Sequence, residues 1–136
     1  MKMKLKIITP EKVAYEGEAD QVTIPARDGE ITVLANHIPL ISAMKHGELN
    51  IRNDGKDIFL AVCNGFIEVK KNEVIIMTDI ADRIAEIDEQ KAEEARKKAE
   101  DLLKTKDMLS DVAFADATAA LEKSLARLKV ARRKKH

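Results

Sequence analysis

The sequence predicts an α+β protein. An N-terminal antiparallel β-sandwich or flattened barrel is followed by a C-terminal antiparallel two-helix hairpin. Three observations predict it. Apolar and polar side chains alternate over the first eighty or so positions, the period of half-buried strands. Glycine- and asparagine-bearing turn signals cut that stretch into short runs. From "AEIDEQKAEEARKKAEDLL", residues 85–103, the apolar positions recur instead at three and four, the period of a helix.

The elements follow in order. Met1, Met3, Leu5 and Ile7 alternate with Lys2, Lys4 and Lys6, a strand with one buried face that Pro10 ends. "QVTIPA" and "EITVLA" flank "RDG", where Gly29 is free to take positive φ. "ELNIR" and "DIFLAV" flank "NDGK", an Asp-Gly hairpin turn, and "GFIEV" and "EVIIMT" flank "KKN". At least seven short strands result, spaced as in an all-β sandwich or barrel. Asp88 is placed to cap a helix, with Glu89 in the first turn where the dipole favours negative charge. Ala92, Ala95, Ala99, Leu102 and Leu103 form its apolar stripe. Ser110 and Asp111 start a second helix with Phe114, Ala117, Leu121, Leu125 and Leu128 as its stripe. The short connection "KTKDML" makes the helices an antiparallel hairpin. The predicted division is a sandwich over residues 1–84 and a mobile helical arm over 85–136.

The arm is expected to hold weakly. Each alanine in place of leucine forgoes about 2 kcal/mol of burial, at about 0.8 per methylene. Isolated helices of this length are marginal in water, so a bound ligand or partner can shift the arm's position.

Composition narrows the function. Hydrophobic residues make up 45% and charged residues 35%, as in a soluble protein with a core. No stretch approaches the roughly 20 apolar residues that cross a bilayer, and the strict alternation of the first residues is unlike a signal peptide, so a cytoplasmic location is expected. The single cysteine, Cys63, excludes an internal disulfide and reads as a small core residue. His37, His46 and His136 lack ligand spacing, so no metal site is expected. The net charge of zero conceals an asymmetry. Residues 1–87 hold 11 basic against 14 acidic side chains, residues 88–104 hold 5 against 6, and residues 105–136 hold 8 against 4. The basic C-terminal end calls for an acidic partner. Few aromatics and no stacking row argue against nucleic acid. No Ser/His/Asp set, phosphate-cradling glycine loop or acid–base pair supports an enzyme. A stand-alone hairpin module that docks an acidic protein is the alternative reading.

Three segments carry a resemblance over the whole chain. "DGEITVLANHIPLIS" is similar to a G-E-L-G-I-L-P-G-H-x-P-L segment, and "CNGFIEVKKNEVIIMTDIADRI" to a G-G-F-L-E-V…V-x-I-L-A-D-x-A-x-R segment. "EIDEQKAEEARKKAE" matches the start of a helical hairpin. Together they resemble the epsilon subunit of bacterial F-type ATP synthases. Thr32, Ala35 and Asn36 depart from residues that are usually Gly, Pro and Gly there.

The resemblance implies a non-catalytic subunit of the rotating central stalk, peripheral to the cytoplasmic face of the bacterial membrane. Its sandwich binds the gamma subunit and rests on the c-ring, which proton flow turns while the beta subunits, alternating with alpha, make ATP. Its hairpin lies on the sandwich or extends along gamma, where its basic helix meets beta and hinders ATP hydrolysis. Matching positions assign c-ring contact to Asp28, Gly29, Glu30 and His37. "IDEQKA" matches the nucleotide motif I/L-D-x-x-R-A, which implies an ATP site of Asp82, Ile87, Asp88, Lys91, Ala92, Lys98, Lys123 and Arg127. Several family arginines are lysines here, which lack the planar fork that pairs two oxygens, so weak or absent ATP binding is expected and no cofactor is required. Lys123, Arg127, Lys129, Arg132 and Arg133, with Lys134 and Lys135, are the residues for an acidic segment of beta.

Overall fold

The computed structural model describes residues 1–133, so Lys134, Lys135 and His136 lie outside the described residues. Ten strands precede the helices: β1 Met3–Ile8, β2 Val13–Ala19, β3 Gln21–Ala26, β4 Gly29–Leu34, β5 Leu40–Met44, β6 Gly47–Asn53, β7 Lys56–Val62, β8 Gly65–Lys70, β9 Glu73–Thr78 and β10 Ala81–Arg83. They make one sheet in the order β10-β7-β6-β3-β5-β8-β9-β1-β2, with β4 paired to β3. The sheet folds over a common core to which Leu5, Ile24, Leu49, Leu60, Ile67 and Ile76 all contribute. Alternation dictates this: in β1 the side chains of Met3, Leu5 and Ile7 are buried while those between them reach toward solvent.

The hairpins form at the expected turns. Gly29 has φ 130°, and Asp54 and Gly55 both take positive φ, as the Asp-Gly turn requires. Asn36 has φ 68°, a conformation asparagine tolerates where the resembling family has glycine. The sandwich holds one exception to its antiparallel pattern. The pairings are antiparallel except β1 with β9, which run parallel, Leu5 opposite Val74 and Ile7 opposite Ile76. Alternation within a strand fixes its faces but not the direction of its neighbour. Gly65 marks the tightest approach in the sandwich. A Cβ there would lie 1.8 Å from the Met77 carbonyl oxygen. Next to it, the buried Thr78 hydroxyl accepts from the Cys63 N–H at 3.2 Å and donates toward the Cys63 and Ile80 carbonyls.

A 3₁₀ turn, Ile84–Glu86, leads out of the sandwich. The Glu86 carboxylate accepts from the Arg83 N–H at 3.0 Å and from Lys12 Nζ at 2.9 Å, which fastens the turn to the β1–β2 loop. Helix α1 spans Glu89–Leu103 and is capped by Asp88, whose side chain accepts the Lys91 N–H at 3.1 Å. Helix α2 spans Asp111–Arg133, and the Ser110 hydroxyl accepts the Ala113 N–H at 3.1 Å. The helices pack against each other, and α2 lies on β6 and β7. The expected stripes need correction. In α1, Ala92 and Ala99 are buried while Ala95 and Leu102 are exposed. In α2, Phe114 and Leu125 are exposed, and Ser124, Ala126, Leu128, Val130 and Ala131 are buried. The cause is that α2 has two partners: its C-terminal half fits between α1 and the sandwich, so one apolar stripe does not describe it.

Candidate functional site

Small residues let α2 lie close to the sheet. Ala126, Val130 and Ala131 pack with Ala61 and Ile87, flanked by Phe59 and Ile84. Around this apolar contact sit ionic clasps. Arg127 Nε donates to Asp82 Oδ2 at 2.7 Å. Arg133 grips both carboxylate oxygens of Glu48, one at 2.6 Å, and its guanidinium carbon lies 4.2 Å from the centre of the Phe59 ring. The Glu48 carboxylate holds the Arg133 guanidinium above its ordinary pKa. Arg132 pairs with Glu93 of α1 at 3.2 Å. His46 on the β5–β6 loop faces Glu122 of α2 at 3.4 Å. All three arginines expected to meet a partner are thus engaged inside the molecule. Lys129 is exposed and Lys123 half-buried.

Six of the eight residues expected to hold ATP line one cavity of about 440 Å³ at the root of the arm: Asp82, Ile87, Asp88, Lys91, Ala92 and Arg127. Glu86 and Ala95 complete its lining, whereas Lys98 and Lys123 are not part of it. Asp82, Glu86 and Asp88 oppose Lys91 and Arg127, so carboxylates outnumber cations. Arg127 is moreover tied to Asp82, and the Arg83 N–H, then Lys12, lowers the pKa of Glu86.

The residues expected at the c-ring do not form one cluster. Asp28, Gly29 and Glu30 sit at the start of β4, and His37 lies beyond its end, with Nδ1 2.6 Å from the Ile38 carbonyl oxygen. Joining them is the outer face of β4, where Glu30, Thr32 and Leu34 are exposed. Among the described residues, no group of three or more His, Cys, Asp or Glu is placed to hold a metal ion.

Sequence reasoning missed one surface. Ala43 pairs with Phe66, Phe66 with Met77, Met77 with Ile8 and Ile8 with Val13, an unbroken apolar row across five strands. Phe66 is 58% exposed and Met77 50%, and Ile41, one repeat further along β5, is 73% exposed. Beside the row a groove of about 390 Å³ is lined by Ile8, Pro10, Gly65, Phe66 and Met77, among others. A contiguous apolar patch rimmed by polar residues marks a protein contact. Alternation reports only which residues share a face of one strand. Register across strands creates the row, so no local signal could have found it.

A sandwich with an uncovered apolar row, carrying a helical arm fastened by arginines, defines a two-part interaction subunit. The comparisons with known proteins give it a family. Residues 2–84 match the model of the ATP synthase delta/epsilon chain β-sandwich domain, and residues 85–132 that of its long α-helix domain. The chain belongs to the ATP synthase delta/epsilon chain family, whose epsilon chain is a non-catalytic subunit. It is 40% identical to the ATP synthase epsilon chain of Desulforamulus reducens over 94% of this chain and 96% of that one. It is 38% identical to the epsilon chain of Dehalococcoides mccartyi over 99% and 96%. A solved structure of the Euglena gracilis mitochondrial ATP synthase, comprising OSCP, F1 and c-ring, contains a chain of the same fold. Its TM-score is 0.76 at 23% identity, covering 92% of this chain and 78% of that one. A chain of the Tetrahymena thermophila mitochondrial ATP synthase central stalk and c-ring matches at TM-score 0.55 and 15% identity, covering 100% and 98%.

Proposed function

We propose that this protein is the central-stalk subunit that links c-ring rotation to ATP synthesis and restrains ATP hydrolysis through its helical arm. The observation that carries the reading is the division of labour on the surface. The apolar row runs over β5, β8, β9, β1 and β2, while α2 covers β6 and β7. A permanent partner on the row leaves the arm free to move. Gamma is the partner of the row, the outer face of β4 with Glu30 and Leu34 meets the c-ring, and the basic face of α2 meets acidic residues of beta when extended. The protein then sits peripherally on the cytoplasmic face of the membrane. The described residues contain no helix long and apolar enough to cross it.

The test uses the assembled complex. Deleting residues 89–136 leaves assembly intact and raises ATP hydrolysis, whereas Phe66→Glu with Met77→Glu removes the subunit from complexes purified through gamma. Unchanged hydrolysis after the deletion refutes the inhibitory role, and retention of the doubly substituted chain refutes the gamma surface.

ATP is at most a weak regulatory ligand. The excess of carboxylates over cations in the cavity at the arm's root supports this, as does the pairing of Arg127 with Asp82. Calorimetry should give no binding in the micromolar range, and tight binding would overturn the electrostatic argument.

A further inference from the structure

We propose that the cavity between the β5–β6 loop, the start of β4 and α2 binds a phosphate dianion that keeps one proton. Lys45 and Lys129 hold its charge, and Glu30 accepts the hydrogen bond of its P–OH group.

The cavity measures about 320 Å³ and shares no residue with the one at the arm's root. Pro25 on β3 organises its sandwich wall. The Pro25 carbonyl accepts the Lys45 N–H at 2.9 Å, and Pro25 pairs with Glu30 across the β3–β4 ladder. Gly47 follows the two-residue loop of Lys45 and His46 and comes close to the same proline: a Cβ on Gly47 would lie 3.1 Å from Pro25 Cβ. Backbone contacts therefore set Lys45 and Glu30 on one wall. Lys129 comes from the facing wall, α2, which is fixed on both sides of it. Arg133, one turn later, grips Glu48, and Glu122, about two turns earlier, faces His46 Nδ1 at 3.4 Å.

The charges select the ligand. Among the described residues, neither Lys45 nor Lys129 has an ion pair or a side-chain hydrogen bond, and Glu30 has none either. Glu48 also lines the cavity but is already matched by Arg133. Two unmatched cations on opposite walls and one unmatched carboxylate remain. An ammonium neutralises phosphate as a compact point charge. A monocarboxylate leaves one lysine unmatched. Sulfate matches both lysines but brings only acceptor oxygens toward Glu30, an acceptor itself. A phosphate that keeps one proton answers all three groups, with two charges for the lysines and a donor for the carboxylate.

The test is a titration of the isotope-labelled full chain with sodium phosphate, read by nuclear magnetic resonance at fixed ionic strength in slightly alkaline solution. Amide signals of Lys45, His46, Gly47 and Lys129 should move together and saturate, with a dissociation constant on the order of 1 mM. Sulfate should bind about fivefold more weakly, the worth of one hydrogen bond. Lys45→Gln and Lys129→Gln alter exposed side chains and should each weaken phosphate about fivefold. Glu30→Gln should abolish the preference for phosphate over sulfate. Shifts that do not saturate, undiminished affinity in either lysine variant, equal affinity for sulfate in the parent, or a preference that survives Glu30→Gln would each overturn the proposal. A lipid headgroup can present the same phosphate chemistry, and flotation with phosphatidylcholine vesicles containing phosphatidic acid separates the two sources. The chain should stay in the soluble fraction. Flotation that is lost with Lys45→Gln would give the site to the lipid and overturn its assignment to free phosphate.

Discussion

Asp20 shows how single residues tie distant parts of the sandwich. Its carboxylate accepts the Asp54 N–H at 2.8 Å and Lys2 Nζ at 3.0 Å, while Lys2 also reaches Asp54 at 2.9 Å. The first strand, the β2–β3 junction and the Asp-Gly turn are thereby joined. The Asp54 N–H, then Lys2, holds the Asp20 carboxyl below its ordinary pKa. A carboxyl with a lowered folded pKa stabilises the fold above its unfolded value, and that contribution disappears as pH falls through the folded value. Glu86 and Glu93 shift in the same direction, the first through the Arg83 N–H and Lys12, the second through Arg96. The melting temperature should therefore fall on acidification below about pH 4. Asp20→Asn should lower it at neutral pH and flatten the acid slope. Identical acid slopes in the two proteins would show that Asp20 is not a source of the pH dependence. No local pattern announces this cluster, because Lys2, Asp20 and Asp54 are brought together only by the pairing of β1 with β2 and the closing of the sheet.

Among the elements, α2 makes the contact between the helical hairpin and β6 and β7. Its apolar hold on the sandwich consists of Ala126, Val130 and Ala131, of which Val130 is the largest and wholly buried. Burying a valine side chain is worth about 2 kcal/mol, and placing an unpaired carboxylate there costs more still. Val130→Asp should lift the arm and leave the sandwich folded. Amide hydrogen exchange distinguishes the outcomes: α2 should exchange at close to its opening limit in the variant, while β1, β6 and β9 keep the protection they have in the parent. Loss of protection in both regions together would mean that arm and sandwich fold as one unit. Helix period and caps at Asp88 and Ser110 were legible in the sequence because they depend on neighbours within one turn. The buried positions of α2 were not. Helical period places Leu125 in a stripe but does not say that a second surface covers Ala126 and Val130 instead.

At the scale of the whole molecule the apolar clusters are unequal. Among the described residues, seventeen buried ones form the sandwich core and five form the cluster between α2 and the sandwich. The larger cluster joins strands across the sheet, and the smaller one joins α2 to the sandwich. The basic excess of residues 105–136 looked in the sequence like a surface waiting for an acidic partner. In the folded chain Arg127, Arg132 and Arg133 instead meet Asp82, Glu93 and Glu48. The same comparison explains the nucleotide motif. Of the eight residues that the resemblance assigns to a nucleotide, folding gathers Asp82, Ile87, Asp88, Lys91, Ala92 and Arg127 round one cavity and leaves Lys98 and Lys123 outside it.

The sequence by itself determined where the chain is strand and where it is helix, which turns close the hairpins, and where strands give way to helices. Those choices rest on alternation, helical period, capping and the backbone freedom of glycine and asparagine, all of which act within a few residues. Only the tertiary structure decided that β1 runs beside β9 in parallel, that an apolar row crosses five strands, and that Glu48 and Phe59 await an arginine 85 positions from that glutamate. Each of these is a meeting of segments far apart in the chain, fixed by register and by the closing of the sheet, and no local pattern encodes which distant partner a residue will find.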